Sequence, residues 1–459
     1  MKINKSILLS SVALIFIFSA CKKVELTPNG VTPPSTAFTT EADVKDALNA
    51  AYSMMTSGGF YGGRLQVVSE YLADMADGSK LTGYEADIYN FKSNPNSGTA
   101  SIYADPYVVI QRANTTLENL DLVTSSPATK NNYEGQAKFL RAAGHFELVR
   151  LFAQPFGFSA DNTHLGVVIK TKSAFEADRS RNTVAEVYAQ VLSDLRDAQN
   201  LLPDENGVYA SKWAAKGYLA RVFFQMNKFD SAYFYANEVI ASNKFPFDNS
   251  AAYITKRFNN PVTTEAIFYL VNEVGQTIRY GTLRNDANTD LSLGLPITAA
   301  TYSAGTSDPN DVRKAWYVNT SGVLGINKYK DNDFILPLLH ITELKLIRAE
   351  SAGQLNQNLP VAIQDLNDIL ARAYGGTKSI SASATAALVI STAREQRKLE
   401  MIYESGDRLQ QIKRIGAKGE TSFAGPAQWN CPGLVLQFPA SEFNVNSNFT
   451  PNPNGGCTR

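Results

Sequence analysis

Residues 210–243 read ASKWAAKGYLARVFFQMNKFDSAYFYANEVIASN. Two helical periods lie in this stretch, with a turn between them at Asn227 and Lys228. Leu219, Ala220 and Phe223 share a face of the first helix; Phe229 follows the turn, and Ala232, Ala236 and Val239 line the second. Small residues at Ala220 and Ala232 let the two backbones approach, while the aromatics fill the groove between neighbouring pairs. The span is 34 residues, the length of a tetratricopeptide unit. The same logic returns at 343–370, where Leu346, Ile347, Ala349 and Ala352 precede a break from Asn356 to Pro360, and Ala362, Ile363, Leu366 and Ile369 follow it.

Working outward, Thr40 and Glu41 cap a period carried by Val44, Leu48, Ala51, Tyr52 and Met55. Further helices are predicted over 103–122, 133–152, 183–202, 341–354, 360–374 and 391–415. No β/α alternation appears, so the fold class is mainly α: a tetratricopeptide-like superhelix of helical hairpins with long irregular loops and a few short strands. The loops are 57–102 and 244–338, rich in Gly, Asn, Asp, Thr and aromatic residues, with β-like runs such as Ala266–Val271. Stretches this long inside a compact protein are functional or disordered, and their aromatic content argues against disorder.

The N-terminus carries an address. Lys2 and Lys5 form a basic start, Ile7 to Phe18 an apolar run, and Ser19 and Ala20 the small residues before a cleavage site. That run is too short to span a bilayer, which takes about 20 residues in a helix. Residues 1–20 therefore read as a signal peptide and Cys21 as the first mature residue, open to lipidation or simply near the cut. Residues 21–40, with Pro28, Pro33 and Pro34 and no helical period, read as a tether. Beyond it, 41–459 is expected to be one domain, with a helical scaffold at 41–56, 103–243 and 341–415, ligand-face loops at 57–102 and 244–338, and a tail at 416–459.

Composition excludes several chemistries. Lys and Arg number 43 and Asp and Glu 43, so no excess of positive charge exists to meet a nucleic acid. The three histidines, His145, His164 and His340, fall in no metal-binding spacing, and no P-loop, dinucleotide fingerprint or serine-nucleophile elbow occurs. No cofactor is expected. Asp331 and Asp333 resemble the start of a calcium loop, but Ile335 and Leu336 stand where ligands are needed. Glu400 and Glu404 are the carboxylate pair a glycosidase would require, yet Arg397 and Arg408 flank them at helical spacing, which points to a structural ion-pair network. Asp74 and Asp77 read as loop or helix-end groups, His145 and Trp213 as core. Cys431 and Cys457 are either a disulfide in an oxidising compartment or two free thiols.

These residues resemble the SusD/RagB family of nutrient-binding outer-membrane lipoproteins. Upstream, Phe18-Ser19-Ala20-Cys21 is similar to the lipobox of bacterial lipoproteins, with Phe18 in place of the usual Leu. The family likeness begins with Tyr107, Ile110, Ala113 and Asn114 and runs through Ala137–Ala142 and Phe146–Phe152, and through Gln154-Pro155-Phe156-Gly157, Arg181 and Thr183. Its most specific part is C-terminal: Glu343, Leu346, Arg348, Ala349 and Glu350, then Asp365-Leu366-Asn367, Arg397 and Glu400, and Tyr403 to Arg408 with Lys413 and Arg414. His340 stands where an Arg is common and Gln411 where an Asp is common. The tail, with Cys431 and Cys457, is similar to a subset of the family with paired cysteines.

The resemblance implies a lipid-anchored outer-membrane protein at the cell surface, a lid over a SusC-like TonB-dependent barrel that captures glycans or other nutrient oligomers without bond-breaking. Aromatic faces bury the C–H patches of sugars while polar neighbours fix the hydroxyls. The loop aromatics that fit are Tyr61, in Gly58-Gly59-Phe60-Tyr61-Gly62-Gly63, with Tyr84, Tyr89, Trp316, Tyr317 and Tyr329. Asn90 and Arg64 are their polar partners, and Trp429 packs under the paired cysteines. Two other classes remain open at this point: a surface glycoside hydrolase lipoprotein and a periplasmic tetratricopeptide scaffold.

Overall fold

The computed structural model describes residues 38–174, 179–258, 262–271, 295–329, 335–420, 425–444 and 446–459. The leader, Cys21, most of the tether, and Asp331 and Asp333 lie outside the described residues. The helices are α1 (Glu41–Met55), α2 (Arg64–Leu72), α3 (Gly83–Tyr89), α4 (Ala100–Glu118), α5 (Pro127–Phe152), α6 (Val184–Leu201), α7 (Lys212–Gln225), α8 (Phe229–Ala241), α9 (Tyr253–Lys256), α10 (Ala299–Thr306), α11 (Ile341–Leu355), α12 (Leu359–Tyr374), α13 (Ala386–Glu400), α14 (Asp407–Ala417) and α15 (Ala440–Asn444). The strands are β1 (Ala266–Leu270), β2 (Leu295–Pro296), β3 (Tyr317–Thr320), β4 (Val323–Ile326) and β5 (Leu336–His340).

Helix starts follow local chemistry. Capping boxes open α1 through Thr40 and Asp43 and α6 through Thr183 and Glu186. Ser126 caps α5, whose Pro127 sits in the first turn, where its missing N–H costs nothing. Each helix then packs on the next: α1 on α4, α4 on α5, α5 on α6, α6 on α7 and α7 on α8. The row skips the irregular stretch and resumes as α8 on α11, with α12 and α13 against α11. This is the expected superhelix of helical hairpins, and it forms because each amphipathic pair buries its apolar face only against its neighbours.

The hairpin at 210–243 has the predicted form. Asn227 takes a left-handed φ of 57° at the turn, and Phe223 stacks on Tyr235 with centroids 5.7 Å apart. Gly217 lets β5 approach, since a Cβ there would lie 2.3 Å from Leu339 Cδ2. In the second hairpin, Asn356 and Asn358 make the turn with left-handed φ. The run at Ala266 becomes β1, paired antiparallel with β5 from Ala266 opposite His340 to Leu270 opposite Leu336. A second sheet has the order β2-β4-β3.

Two expectations change. Stretch 57–102 is not all loop: α2 lies within it, buried at every residue from Leu65 to Leu72. Its glycine-rich lead-in is packed inward, because Phe60 and Tyr61 stack at 4.3 Å, and Gly59 sits where a Cβ would come within 2.5 Å of the Ser101 carbonyl. The helix expected over 391–415 is two, α13 and α14, separated by a turn with left-handed Tyr403, Ser405 and Gly406. Distant side chains satisfy the interrupted backbone: Tyr403 N donates to Glu70, Ser405 N to Gln66, and Lys328 donates to the carbonyls of Glu400 and Ile402. A tether joins the loops as well: Ala76 bridges Ile297, and Thr298 N donates to the Met75 carbonyl at 2.9 Å.

Candidate ligand-binding site

Three elements converge on a cleft of about 280 Å³. The C-terminal half of α1 supplies Asn49, Tyr52, Ser53 and Thr56, the turn before α7 supplies Val208 and Tyr209, and the end of β1 supplies Tyr269, Leu270 and Val271. Spacings of three and four residues put the α1 side chains on one face. Tyr52 and Tyr209 meet edge to face at 5.1 Å, forming an aromatic corner. The corner is fixed from behind: Tyr209 Oη donates to Asn49 Oδ1 at 2.9 Å, and Ala210 N donates to Tyr52 Oη at 3.0 Å. Burial raises the phenols of Tyr52 and Tyr269, so both keep their protons as donors. Val208 and Val271 are exposed at the edge.

Such a cleft offers aromatic and aliphatic surface for the C–H patches of a ring, with amide and hydroxyl groups for its polar edge. Among the described residues its wall carries no charged side chain. Sequence reasoning placed Tyr52 on a core-facing helix face and missed Asn49, Ser53, Tyr209 and Tyr269. The signal available was the polar stripe of Asn49, Ser53 and Thr56 beside Tyr52, and the fourth position of the β1 run.

The loop residues expected at the site divide. Arg64 and Tyr84 come together at the same end of the molecule: α1 and α4 run antiparallel, with Glu41 bonded to Ser125 at one end and Gly59 N to Asp105 at the other. The Arg64 guanidinium lies 5.3 Å from the Tyr84 ring centre. Tyr84 also covers Gly98, where a Cβ would lie 2.8 Å from the ring. Tyr89 is half-buried with Arg459 stacked 3.5 Å from its ring centre, and Asn90 Nδ2 donates to the Ala86 carbonyl as a helix-end cap.

The other four aromatics correct the expectation, because their loops fold inward. Tyr61 is fully buried and donates to Glu147 Oε1 at 2.9 Å. Trp316 is buried with Nε1 donating to the Ile254 carbonyl, Lys328 lying 3.9 Å from its ring centre. Tyr317 packs on Gly305 and Tyr302, and Tyr329 donates to the Tyr403 carbonyl at 2.9 Å. Each is held by the core and faces no open surface. Trp429 fills the space over Gly416 and meets Phe158 edge-on, while Cys431 and Cys457 are disulfide-bonded with Cα atoms 6.1 Å apart.

The carboxylate pair is buried and neutralised, by partners other than its helical neighbours. Glu400 meets Arg257 at 2.7 Å, Arg313 at 3.3 Å and Arg372 at 3.5 Å; Glu404 meets Lys328 at 2.7 Å, Arg257 at 3.1 Å and His340 at 3.1 Å. Burial pushes Glu400 up, but Arg257, Arg372, Arg313 and Lys328 outweigh it and hold the carboxyl at about 2. A general acid needs the opposite shift and an open face. Arg397 instead pairs with Asp407 and Glu343, and Arg408 with Asp74, which is therefore an ion-pair partner across the fold. Arg348 binds Asp365, and Glu350 takes Arg394 and Arg414. His145 is fully buried between the Arg141 carbonyl and Lys170 N, and burial lowers it to about 3.

Residues 30–224 match the family described as starch-binding and associating with the outer membrane. SusD-like protein P2 of Formosa agariphila is 25% identical, over 97% of this chain and 98% of that protein. A candidate sugar-binding protein from Bacteroides vulgatus superposes with a TM-score of 0.79 at 26% identity, over 92% of this chain and all of that one. Surface glycan-binding protein A of Bacteroides uniformis shares the fold, with a TM-score of 0.71 at 19% identity, over 90% of this chain and 99% of its own. In sequence and in fold this chain is similar to SusD-like proteins.

Proposed function

We propose that the chain is a lipid-anchored outer-membrane protein that binds glycan at the cell surface and delivers it to a SusC-like TonB-dependent barrel, without catalysis. One observation carries the binding step: the uncharged cleft in which Tyr52, Tyr209 and Tyr269 stand beside Asn49 and Ser53. Arg64 and Tyr84, at the same end of the bundle, extend the contact surface. The family's own description, starch-binding and outer-membrane-associated, supports the ligand class and the location. Cys21 would carry the lipid, residues 21–40 the tether, and 41–459 the binding domain. A hydrolase reading loses support because Glu400 and Glu404 are sealed among cations.

Calorimetric titration of the full chain in detergent with malto-oligosaccharides and other neutral glycans tests the binding. At least one is expected to bind, and Tyr269→Ala to weaken it about tenfold. Equal affinity in Tyr269→Ala and Tyr209→Ala would remove the cleft from the proposal. Location is tested separately: protease added to intact cells should cleave the wild type, Cys21→Ala should leave the membrane fraction, and a TonB-dependent barrel should copurify. A protease-protected protein without a barrel would favour the periplasmic scaffold.

A further inference from the structure

Five helices meet around a small internal cavity of about 10 Å³, room for a single particle of about the size of water. Arg150 reaches it from α5, Arg221 from α7, Glu343 from α11, Arg397 from α13 and Asp407 from the start of α14. All three arginines are more than nine-tenths buried. Each also keeps one buried nitrogen without a partner among the described residues: Nε of Arg150, Nη1 of Arg221 and Nη1 of Arg397. Other nitrogens of the three are engaged. Arg221 forks onto Glu343 at 2.9 and 2.6 Å, Arg397 onto Asp407 at 2.9 and 2.6 Å, and Arg150 donates to the Ser405 carbonyl at 2.6 Å.

Most of the acceptors on the wall are already engaged. Glu343, Asp407 and the Ser405 carbonyl take the arginine bonds just named, and the Gln411 side-chain oxygen takes two from Arg414. The buried side-chain atoms on the wall that lack a partner among the described residues are all donors. A water molecule there would need acceptors for its own two hydrogens, whereas a monatomic anion needs none. Charge points the same way: three guanidinium groups face two carboxylates on the wall. Outside it, Glu147 stands 3.2 Å from Arg150, and the fully buried Lys413 amine, which burial and Arg150 lower to about 7, donates to the Arg150 carbonyl. The first turn of α14 adds the positive end of a helix whose cap, Gly406, has no side chain to close it.

We propose that this cavity is a binding site for one chloride ion, which ties α5, α7 and α13 together through their three open N–H groups. Crystals of the full chain grown in detergent with sodium bromide in place of chloride test it by anomalous scattering at the bromine edge. The expected result is a bromide peak in the cavity, within hydrogen-bond reach of Arg221 and Arg397. A cavity that holds ordinary water density or nothing, with no anomalous signal, overturns the proposal. In solution, the unfolding midpoint should be about 2 °C higher in chloride than in gluconate at equal ionic strength. Gln411→Glu, which brings a third carboxylate to the wall, should abolish that difference while leaving the protein folded. Equal midpoints in the two salts for the wild type, or full chloride dependence in Gln411→Glu, would each count against the site.

Discussion

The cleft and the charge lattice are opposites. Around α11, α13 and α14 the chain buries Glu343, Arg348, Glu350, Arg397, Glu400, Glu404 and Arg414, and every one is matched by a partner on another element. The cleft between α1, the 208–209 turn and β1 has no charge on its described wall and stays open. Residues that look most chemical in the sequence therefore hold the scaffold, and the residues suited to a ligand look ordinary. The reason is energetic: a buried ion must be paired in a fixed geometry, so its spacing is written into motifs, whereas a sugar-sized surface needs only aromatic and hydroxyl groups from whichever elements meet.

Removing one member of the lattice should give the largest effect. Glu400→Ala leaves Arg257, Arg313 and Arg372 facing an empty place, and a loss of about 3–5 kcal/mol in urea unfolding is expected. A loss under 1 kcal/mol would show that the lattice is not what holds this end together. Acid attacks the same groups together. Glu343 and Glu400 are held at about 2 against an ordinary 4.5, so the unfolded chain takes up protons first. Their contribution is whole above about pH 4.5 and disappears as pH falls toward 2, which unfolding midpoints measured across that range would follow.

Next comes the Cys431–Cys457 disulfide, which closes 26 residues of tail. Its replacement by serines is expected to cost about 3 kcal/mol while sparing glycan affinity. Weakened binding would mean that the tail shapes the ligand face through Arg459 and Tyr89. Smaller again, Tyr209→Ala should lose about 1.4 kcal/mol of binding, a tenfold change by calorimetry. Asn90→Ala marks the low end: as a cap on α3 it should cost less than about 1 kcal/mol of stability and leave affinity unchanged. A clear loss of affinity there would return the exposed loop to the site.

Most of the scaffold was legible because helical period survives wherever a helix has one buried face. Residues 210–243 and 341–374 show this, and α1 and α6 begin at or near their expected starts, whereas α5 opens at Pro127, ahead of the expected 133. Hidden elements had other causes. The α2 segment hides behind the glycine-rich run 58–63, in which Gly59 is the residue that fits against Ser101 and Asp105. The break between α13 and α14 hides because the groups that satisfy it, from Gln66 to Lys328, are remote in sequence. For the site, burial was the missing quantity: Tyr61, Trp316, Tyr317 and Tyr329 have the composition of a loop surface and the environment of a core.

The turn at 401–406 also bears on how the chain folds. Tyr403 to Glu70, Ser405 to Gln66 and Arg408 to Asp74 are bonds across 333, 339 and 334 residues, and Thr99 to the Gln437 carbonyl spans 338. A solenoid of helical hairpins can zip from any repeat and fray from either end. Here the first helices and the last close on each other, so the ring of contacts is complete only when nearly the whole chain is present. Long-range closure is expected to limit the folding rate, and unfolding to run as one cooperative opening in place of repeat-by-repeat loss.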